Sequence, residues 1–371
     1  MKVLHFFKTY YPDSFGGVER TIHAIAKGCH SQGIESDVLS LSPQPAKNTV
    51  LFDGHTAYKA KLDFEFASTG FSREAFSKFR QLAAKVDIIH YHFPWPFMDL
   101  VHLSQRSKKP SIVTYHSDVV KQKTLLKAYQ PLMHRFLSSV DRIVATSDNY
   151  FATSAVLQRY RDKVEVIPLG LDEADYPRAP ESVKQAWHAR FPRPFFLFVG
   201  VLRYYKGLQY LLDAAKDLPA DIVIMGNGPM ETELKAQAAK QQLMNVHFLE
   251  SRSDLDKAAL LELCRAFVFP SHLRSEAFGL SLVEASMFGK AMITCEIGTG
   301  TSFINLDGET GLVVPAADAT ALNKALRQLL IDPSLIERFE PSSRARYLSN
   351  LTSRQMSDRY ASLYLEGVHS S

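Results

Sequence analysis

Glu276 and Glu284 stand eight residues apart in Ser275-Glu276-Ala277-Phe278-Gly279-Leu280-Ser281-Leu282-Val283-Glu284, between an apolar run at 266–269 and the helix this segment opens. On one continuous helix, side chains at that spacing point about 80° apart, which suits no shared task. The difficulty goes if Glu276 lies in the loop and Gly279 marks the helix entry. Glu284 then sits about one turn inside, with the N–H groups of Leu280 and Ser281 between the two acids. Amides at a helix start lack intrahelical partners and bind anions, and the helix dipole adds about 0.3–1 kcal/mol. A carboxylate repels phosphate but accepts paired hydrogen bonds from vicinal hydroxyls. A diphosphate with hydroxyls on either side, a nucleotide sugar, fits that arrangement. Taken alone, the spacing serves equally well a surface-loop acid and a solvated helix residue.

The same chemistry asks for cations. In Phe198-Val199-Gly200-Val201-Leu202-Arg203-Tyr204-Tyr205-Lys206-Gly207 a strand runs into a helix, and Arg203 and Lys206 can both face a diphosphate. Hydrogen bonds to charged groups contribute about 1.5–3 kcal/mol each, and the cations would also carry charge on a departing nucleotide. The plain alternative is two exposed cations at a helix start, where the dipole disfavours them. Paired glycines at Gly16-Gly17 give a close backbone approach at another helix start, or a simple turn. Val113-Thr114-Tyr115-His116 places His116 at the C-terminal edge of a strand. His90 and His92 share one side of a strand and could join His116 as metal ligands. No further ligand follows at a metal-site spacing, so packed, hydrogen-bonded histidines are the favoured reading. Asp254-Leu255-Asp256 spells D-x-D but opens a helix, where aspartates cap and meet the dipole. No metal is expected. Gly226-Asn227-Gly228-Pro229 falls short of a dinucleotide fingerprint, because Glu231 stands where the third glycine belongs.

These residues need a scaffold that brings strand ends together. Short β-rich runs at 2–6, 36–41, 87–91, 111–115, 142–145 and 164–167 alternate with helical patterns. After the breakers Pro168, Pro177, Pro180, Pro192 and Pro194, runs at 195–199, 221–225, 246–249, 266–269, 291–294 and 312–314 repeat the alternation. The pattern is α/β: two Rossmann-like, doubly wound parallel sheets with a cleft between them. The expected domains are 1–172, carrying the acceptor side together with a returning helix at about 352–371, and 173–351, carrying the donor side. Asp318 is the expected N-cap of a late helix.

Composition narrows the rest. The chain has 371 residues, 46% hydrophobic and 22% charged, so it is globular rather than disordered. No run reaches the ~18 apolar residues of a membrane span, and 1–7 is too short for a signal-peptide core. Cys29, Cys264 and Cys295 have no metal-ligand spacing and suit a reducing cytoplasm. The net charge of +4 divides unevenly: residues 1–170 carry 22 Lys/Arg against 15 Asp/Glu, hence +7, and the rest carry −3. A basic first half points to an anionic ligand or membrane surface, while the absence of long Lys/Arg runs excludes nucleic acid. The helix at 119–137, with Lys121, Lys123, Lys127, His134 and Arg135 beside Leu125, Leu126 and Leu132, suits an anionic lipid face or an ordinary solvated helix.

From 195 to 315, and more loosely over nearly the whole chain, the sequence resembles the retaining glycosyltransferases of family 4, which have the GT-B fold. The resemblance implies that Glu284 holds the nucleotide ribose and Glu276 contacts the transferred sugar. The backbone at Phe278, Gly279, Leu280 and Ser281 would hold sugar and diphosphate. Gly16 and Gly17 match the glycine-rich loop near phosphate and acceptor, His116 the histidine beside the sugar, and Arg252 the segment bordering the nucleobase. Lys206 carries over directly. The family's arginine usually follows the glycine, where Val201 stands here, so Arg203 carries over if its loop bends into the same space.

The implied reaction is metal-independent, with retention at the anomeric carbon, front-face attack and the acceptor's proton passing to the departing phosphate oxygen. Gly298-Thr299-Gly300-Thr301-Ser302-Phe303-Ile304-Asn305 and Lys8-Thr9-Tyr10-Tyr11-Pro12-Asp13-Ser14 are similar to bacterial mannosyltransferases of surface-polysaccharide assembly, which implies GDP-mannose and a saccharide or lipid-linked acceptor. The expected location is cytoplasmic, at the inner face of the membrane. A nucleotide-sugar epimerase of the same fold and a non-catalytic partner subunit are the rival readings.

Overall fold

Apolar runs bounded by turn formers become strands, the central ones buried, in the computed structural model, which describes residues 1–45, 49–105, 107–119, 123–250 and 252–369. Clustering of contacts divides the chain into two units, Met1–Gly170 with Ser353–Ser371, and Leu171–Thr352. The expected boundary at 172/173 moves two residues back. The Leu171 N–H donates to Leu351 O, which ties Leu171 to the second unit.

In the first unit the strands are β1 (Lys2–Phe6), β2 (Glu35–Ser42), β3 (Thr49–Phe52), β4 (His55–Lys61), β5 (Phe64–Phe66), β6 (Thr69–Phe71), β7 (Ile88–Phe93), β8 (Ser111–Tyr115), β9 (Arg142–Ala145) and β10 (Val164–Val166). Eight of them form one sheet in the order β10-β9-β8-β7-β1-β2-β4-β3, parallel except for the β3–β4 edge. β5 and β6 make a separate hairpin. The polar-rich β4 has no place in the sequence reading. It is held by Lys59, buried, which donates to Tyr10 O at 2.8 Å and Ser40 Oγ at 3.0 Å and pairs with Asp13 at 3.0 Å. The helix Ser353–His369 closes this unit, burying Met356, Tyr360, Leu363 and Tyr364 along one face.

In the second unit β11 (Phe195–Val199), β12 (Asp221–Met225), β13 (Val246–Leu249), β14 (Ala266–Phe269), β15 (Met292–Glu296) and β16 (Gly311–Pro315) form an all-parallel sheet ordered β13-β12-β11-β14-β15-β16. The order reverses between β11 and β14, and in the first unit between β1 and β7. Open parallel sheets bind ligands beyond the strand ends at such reversals. Asp318 caps the helix Ala319–Ile331, accepting from Ala321 N at 2.9 Å.

The basic helix expected at 119–137 spans Lys123–Ser139 instead, with Pro131 inside it. Lys121 and the side chains of Lys123 and Leu125 lie outside the described residues. Lys127 and Arg135 are exposed. His134 is half-buried: its Nδ1 meets Tyr160 Oη at 2.8 Å, and desolvation, then Arg159, lowers its pKa.

Among the described residues the buried histidines all lie in the first unit. Burial holds His5 and His116 down to about 3 and His90 and His92 well below the ordinary 6.5. Below 6.5 the unfolded chain takes up protons that the native sheet refuses. Stability therefore falls as pH drops from 6.5 toward 3, by up to about 1.4 kcal/mol per histidine per pH unit. Acidifying from about pH 7.5 to about pH 5 should lower the calorimetric Tm of the first unit more than that of the second; equal shifts would mean these rings are charged in the native state.

Candidate active site

The reversal point of the second unit carries the candidate chemistry. β11 runs out through Gly200 to a single 3-10 turn, Tyr204–Lys206, and β14 runs out through Pro270 to Glu276. The two loops touch because Gly207, at φ +69°, has no side chain: a Cβ there would stand 1.9 Å from Pro270 O. That contact sets Lys206 Nζ against Glu276 Oε2, to which it donates a hydrogen bond. Ser271 Oγ donates to the same oxygen at 3.2 Å, and Lys206 Nζ lies 4.4 Å from the Phe269 ring centre. Lys206 and Glu276 are both 8% exposed. Sequence reasoning gives the two residues separate partners; the structure gives them each other. Arg203 and Arg252 are exposed, and Arg203 forms no side-chain hydrogen bond or ion pair among the described residues. Ser251, beside Arg252, lies outside the described residues.

Glu276 is in the loop and Gly279, at φ +98°, stands immediately before the helix Leu280–Met287. The first backbone bond here runs from Leu282 N–H to Gly279 O at 2.9 Å, after the amides of Leu280 and Ser281. Phe278 is buried and wedged against Gly300, whose N–H donates to Ala277 O at 2.8 Å. Glu284 is buried one turn into the helix. Its Oε1 accepts from Tyr176 Oη at 2.8 Å and Lys257 Nζ at 3.1 Å. Neither partner figures in the sequence reading. The one signal is the i,i+3 spacing of Asp254 and Lys257, which pair at 3.2 Å. Asp256 accepts from Ser253 Oγ at 2.7 Å and Trp187 Nε1 at 2.8 Å, so the D-x-D acids serve as helix-start partners.

In the first unit, Gly16 and Gly17 lead into the helix Gly17–His30. The charge beside them is an acid. Glu19, buried, accepts from Thr9 Oγ1 and Ser14 Oγ, each at 2.7 Å, and a Cβ on Gly16 would meet Glu19 Oε2 at 2.5 Å. Sequence reasoning passes over Glu19. His116 follows β8 and is 9% exposed, and its Nε2 lies 3.0 Å from His92 Nδ1. His90 bonds instead to Tyr364 Oη and Thr114 Oγ1, both at 2.7 Å.

Two family models match, described as "Glycosyltransferase Family 4" over residues 15–175 and "Glycosyl transferases group 1" over residues 181–346. The chain is 54% identical to the D-rhamnosyltransferase WbpZ of Pseudomonas aeruginosa over 347 residues, 94% of this chain and 91% of that protein. It is 48% identical to the O-antigen chain mannosyltransferase C of Escherichia coli, over 98% of each. Among solved structures, Anabaena HepE in complex with UDP-glucose superposes with a TM-score of 0.79 at 18% identity, over 100% of each chain. The fold is GT-B. With such relatives spanning nearly its full length and a family model on each half, the chain belongs to glycosyltransferase family 4.

Proposed function

We propose that this chain transfers a hexose of manno configuration from a nucleotide sugar, GDP-mannose first, to a saccharide or lipid-linked saccharide in O-antigen-type assembly. The observation that carries the reading is the buried Lys206–Glu276 pair at the β11–β14 reversal, beside a helix start that can take an anion. The names of the two relatives support the sugar class. D-Rhamnose is 6-deoxymannose, so the two sugars differ at one hydroxyl.

In this reading the donor diphosphate replaces the Glu276 carboxylate as the partner of Lys206, and the freed Glu276 takes hydroxyls of the sugar. The amides at Phe278, Gly279, Leu280 and Ser281 hold the sugar and diphosphate. Glu284, oriented by Tyr176 and Lys257, takes the ribose, and Arg252 borders the base. Arg203 reaches the diphosphate from its exposed position. Gly16, Gly17 and His116 serve the acceptor-bearing unit, with His116 orienting the sugar. No metal is needed, because the cations and amides carry the leaving-group charge. The acceptor hydroxyl attacks from the face the diphosphate leaves, passes its proton to the leaving oxygen, and the anomeric configuration is retained. Lys127 and Arg135 would face anionic lipid at the inner side of the membrane.

A thermal-shift panel of GDP-mannose, GDP-D-rhamnose and UDP-glucose checks the donor. The GDP-sugars should raise Tm more, and a preference for UDP-glucose would overturn the choice. Product mass with and without lipid-linked acceptor then separates transfer from epimerisation. Lys206→Met should lower kcat by about 100- to 1000-fold with a smaller change in donor affinity. Glu284→Gln should weaken donor binding by about tenfold or more. Wild-type kinetics in both variants would remove the site. Transfer should survive EDTA, and a loss restored by manganese would return Asp254 and Asp256 to consideration.

A further inference from the structure

Three imidazoles form an unbroken hydrogen-bonded row across the first sheet: His5 on β1, His92 on β7, and His116 just past β8. His5 Nδ1 lies 3.1 Å from His92 Nε2, and His92 Nδ1 lies 3.0 Å from His116 Nε2. Each successive pair of ring planes is within 22° of parallel. His90 stands beside the row, pairing with His5 in the strand register, but both its ring nitrogens are taken by Tyr364 and Thr114. The Tyr360 hydroxyl also reaches Thr114 Oγ1, at 2.8 Å, so His90 stacks on His92 with ring centres 4.3 Å apart while its hydrogen bonds go to Tyr364 and Thr114.

A neutral imidazole has one N–H donor and one bare acceptor. Three neutral rings in series therefore share one polarity from end to end. If His116 Nε2 carries a proton, then His92 Nε2 and His5 Nε2 do as well. If His116 Nε2 is bare, all three protons sit on Nδ1. The inner end of the row decides between them. His5 Nε2 is buried and has no hydrogen-bond partner among the described residues. A buried N–H with no acceptor is rarer than an under-satisfied acceptor, so the arrangement that leaves His5 Nε2 bare is favoured. At the outer end, His116 Nδ1 makes no hydrogen bond to a described residue and is not one of the buried unpartnered atoms.

We infer that His5 and His92 are positioning residues that fix His116 as its Nδ1–H tautomer, so that the strand edge presents a hydrogen-bond donor to a hydroxyl oxygen of the ligand. This rests on the reading that His116 orients the transferred sugar. A donor there holds a hydroxyl through its lone pairs and leaves the hydroxyl proton free to point elsewhere. An acceptor would require the hydroxyl to donate.

Nitrogen-15 spectra of the full chain labelled at histidine test the tautomer without donor or acceptor. The His116 signals are identified by their loss in His116→Gln. The expected result is a protonated Nδ1 and a bare Nε2, and a protonated Nε2 would overturn the inference. His92→Phe keeps a planar ring without nitrogens. It should let His116 populate both tautomers and lower kcat by about tenfold, the rate equivalent of one neutral hydrogen bond, with donor KM within about twofold. His92→Asn, whose amide N–H replaces the ring Nδ1–H, should recover most of that loss. A His92→Phe enzyme with wild-type kcat would also overturn it. Should neither variant fold, the wild-type spectrum decides alone. A correct tautomer in a chain that transfers no hexose would fail the proposed function and leave the assignment of His5, His92 and His116 standing.

Discussion

Parallel strands leave their last residues at one edge of the sheet, and where the strand order reverses, the chain departs from neighbouring strands in opposite directions. The crevice that results cannot be covered by the connecting helices. In the second unit this happens between β11 and β14, and the loops that leave those two strands hold Lys206 and Glu276. In the first unit it happens between β1 and β7, and the row of His5, His92 and His116 crosses that line. The candidate groups of both units are thus placed by one topological rule, applied twice.

The physics of the two places differs. Lys206 and Glu276 are withdrawn from water together. Removing one partner of such a pair leaves a buried charge at a cost of about 3–5 kcal/mol, whereas exchanging it for another anion keeps the cation satisfied. A diphosphate is such an anion, and in the proposed reading it takes the place of the Glu276 carboxylate beside Lys206. The histidine row stays neutral. Desolvation is the first cause of each ring's lowered pKa, and the hydrogen bonds run between rings rather than to carboxylates. One place handles charge and the other handles the direction of hydrogen bonds.

Much of this was legible in the chain. The strand runs 2–6, 111–115, 142–145, 195–199, 221–225, 246–249 and 266–269 coincide with observed strands, because strands of a covered parallel sheet are predominantly apolar. Gly279 as helix entry follows from the distance between Glu276 and Glu284, and the late N-cap follows from Asp318. What stayed hidden was contact between residues far apart in sequence. Nothing near Lys206 announces that it meets Glu276, and nothing near Glu284 announces Tyr176. β4 escaped notice because its polar residues hide the strand period, and Lys59 finds its partners only through residues 10, 13 and 40. The spacing of His90 and His92 favours packed, hydrogen-bonded rings but names no partners, because Tyr364 and His116 come from other elements.

The helix Ser353–His369 belongs with Met1–Gly170, although all of Leu171–Thr352 separates them in the chain. A polypeptide emerging from the ribosome therefore presents the β1–β10 sheet long before the helix that covers His90 and Thr114 exists. The second unit, made later, is whole as soon as its own residues are out. The part translated first is the part finished last, and until then the apolar bed awaiting Met356, Tyr360, Leu363 and Tyr364 is open to chaperones and to misassembly.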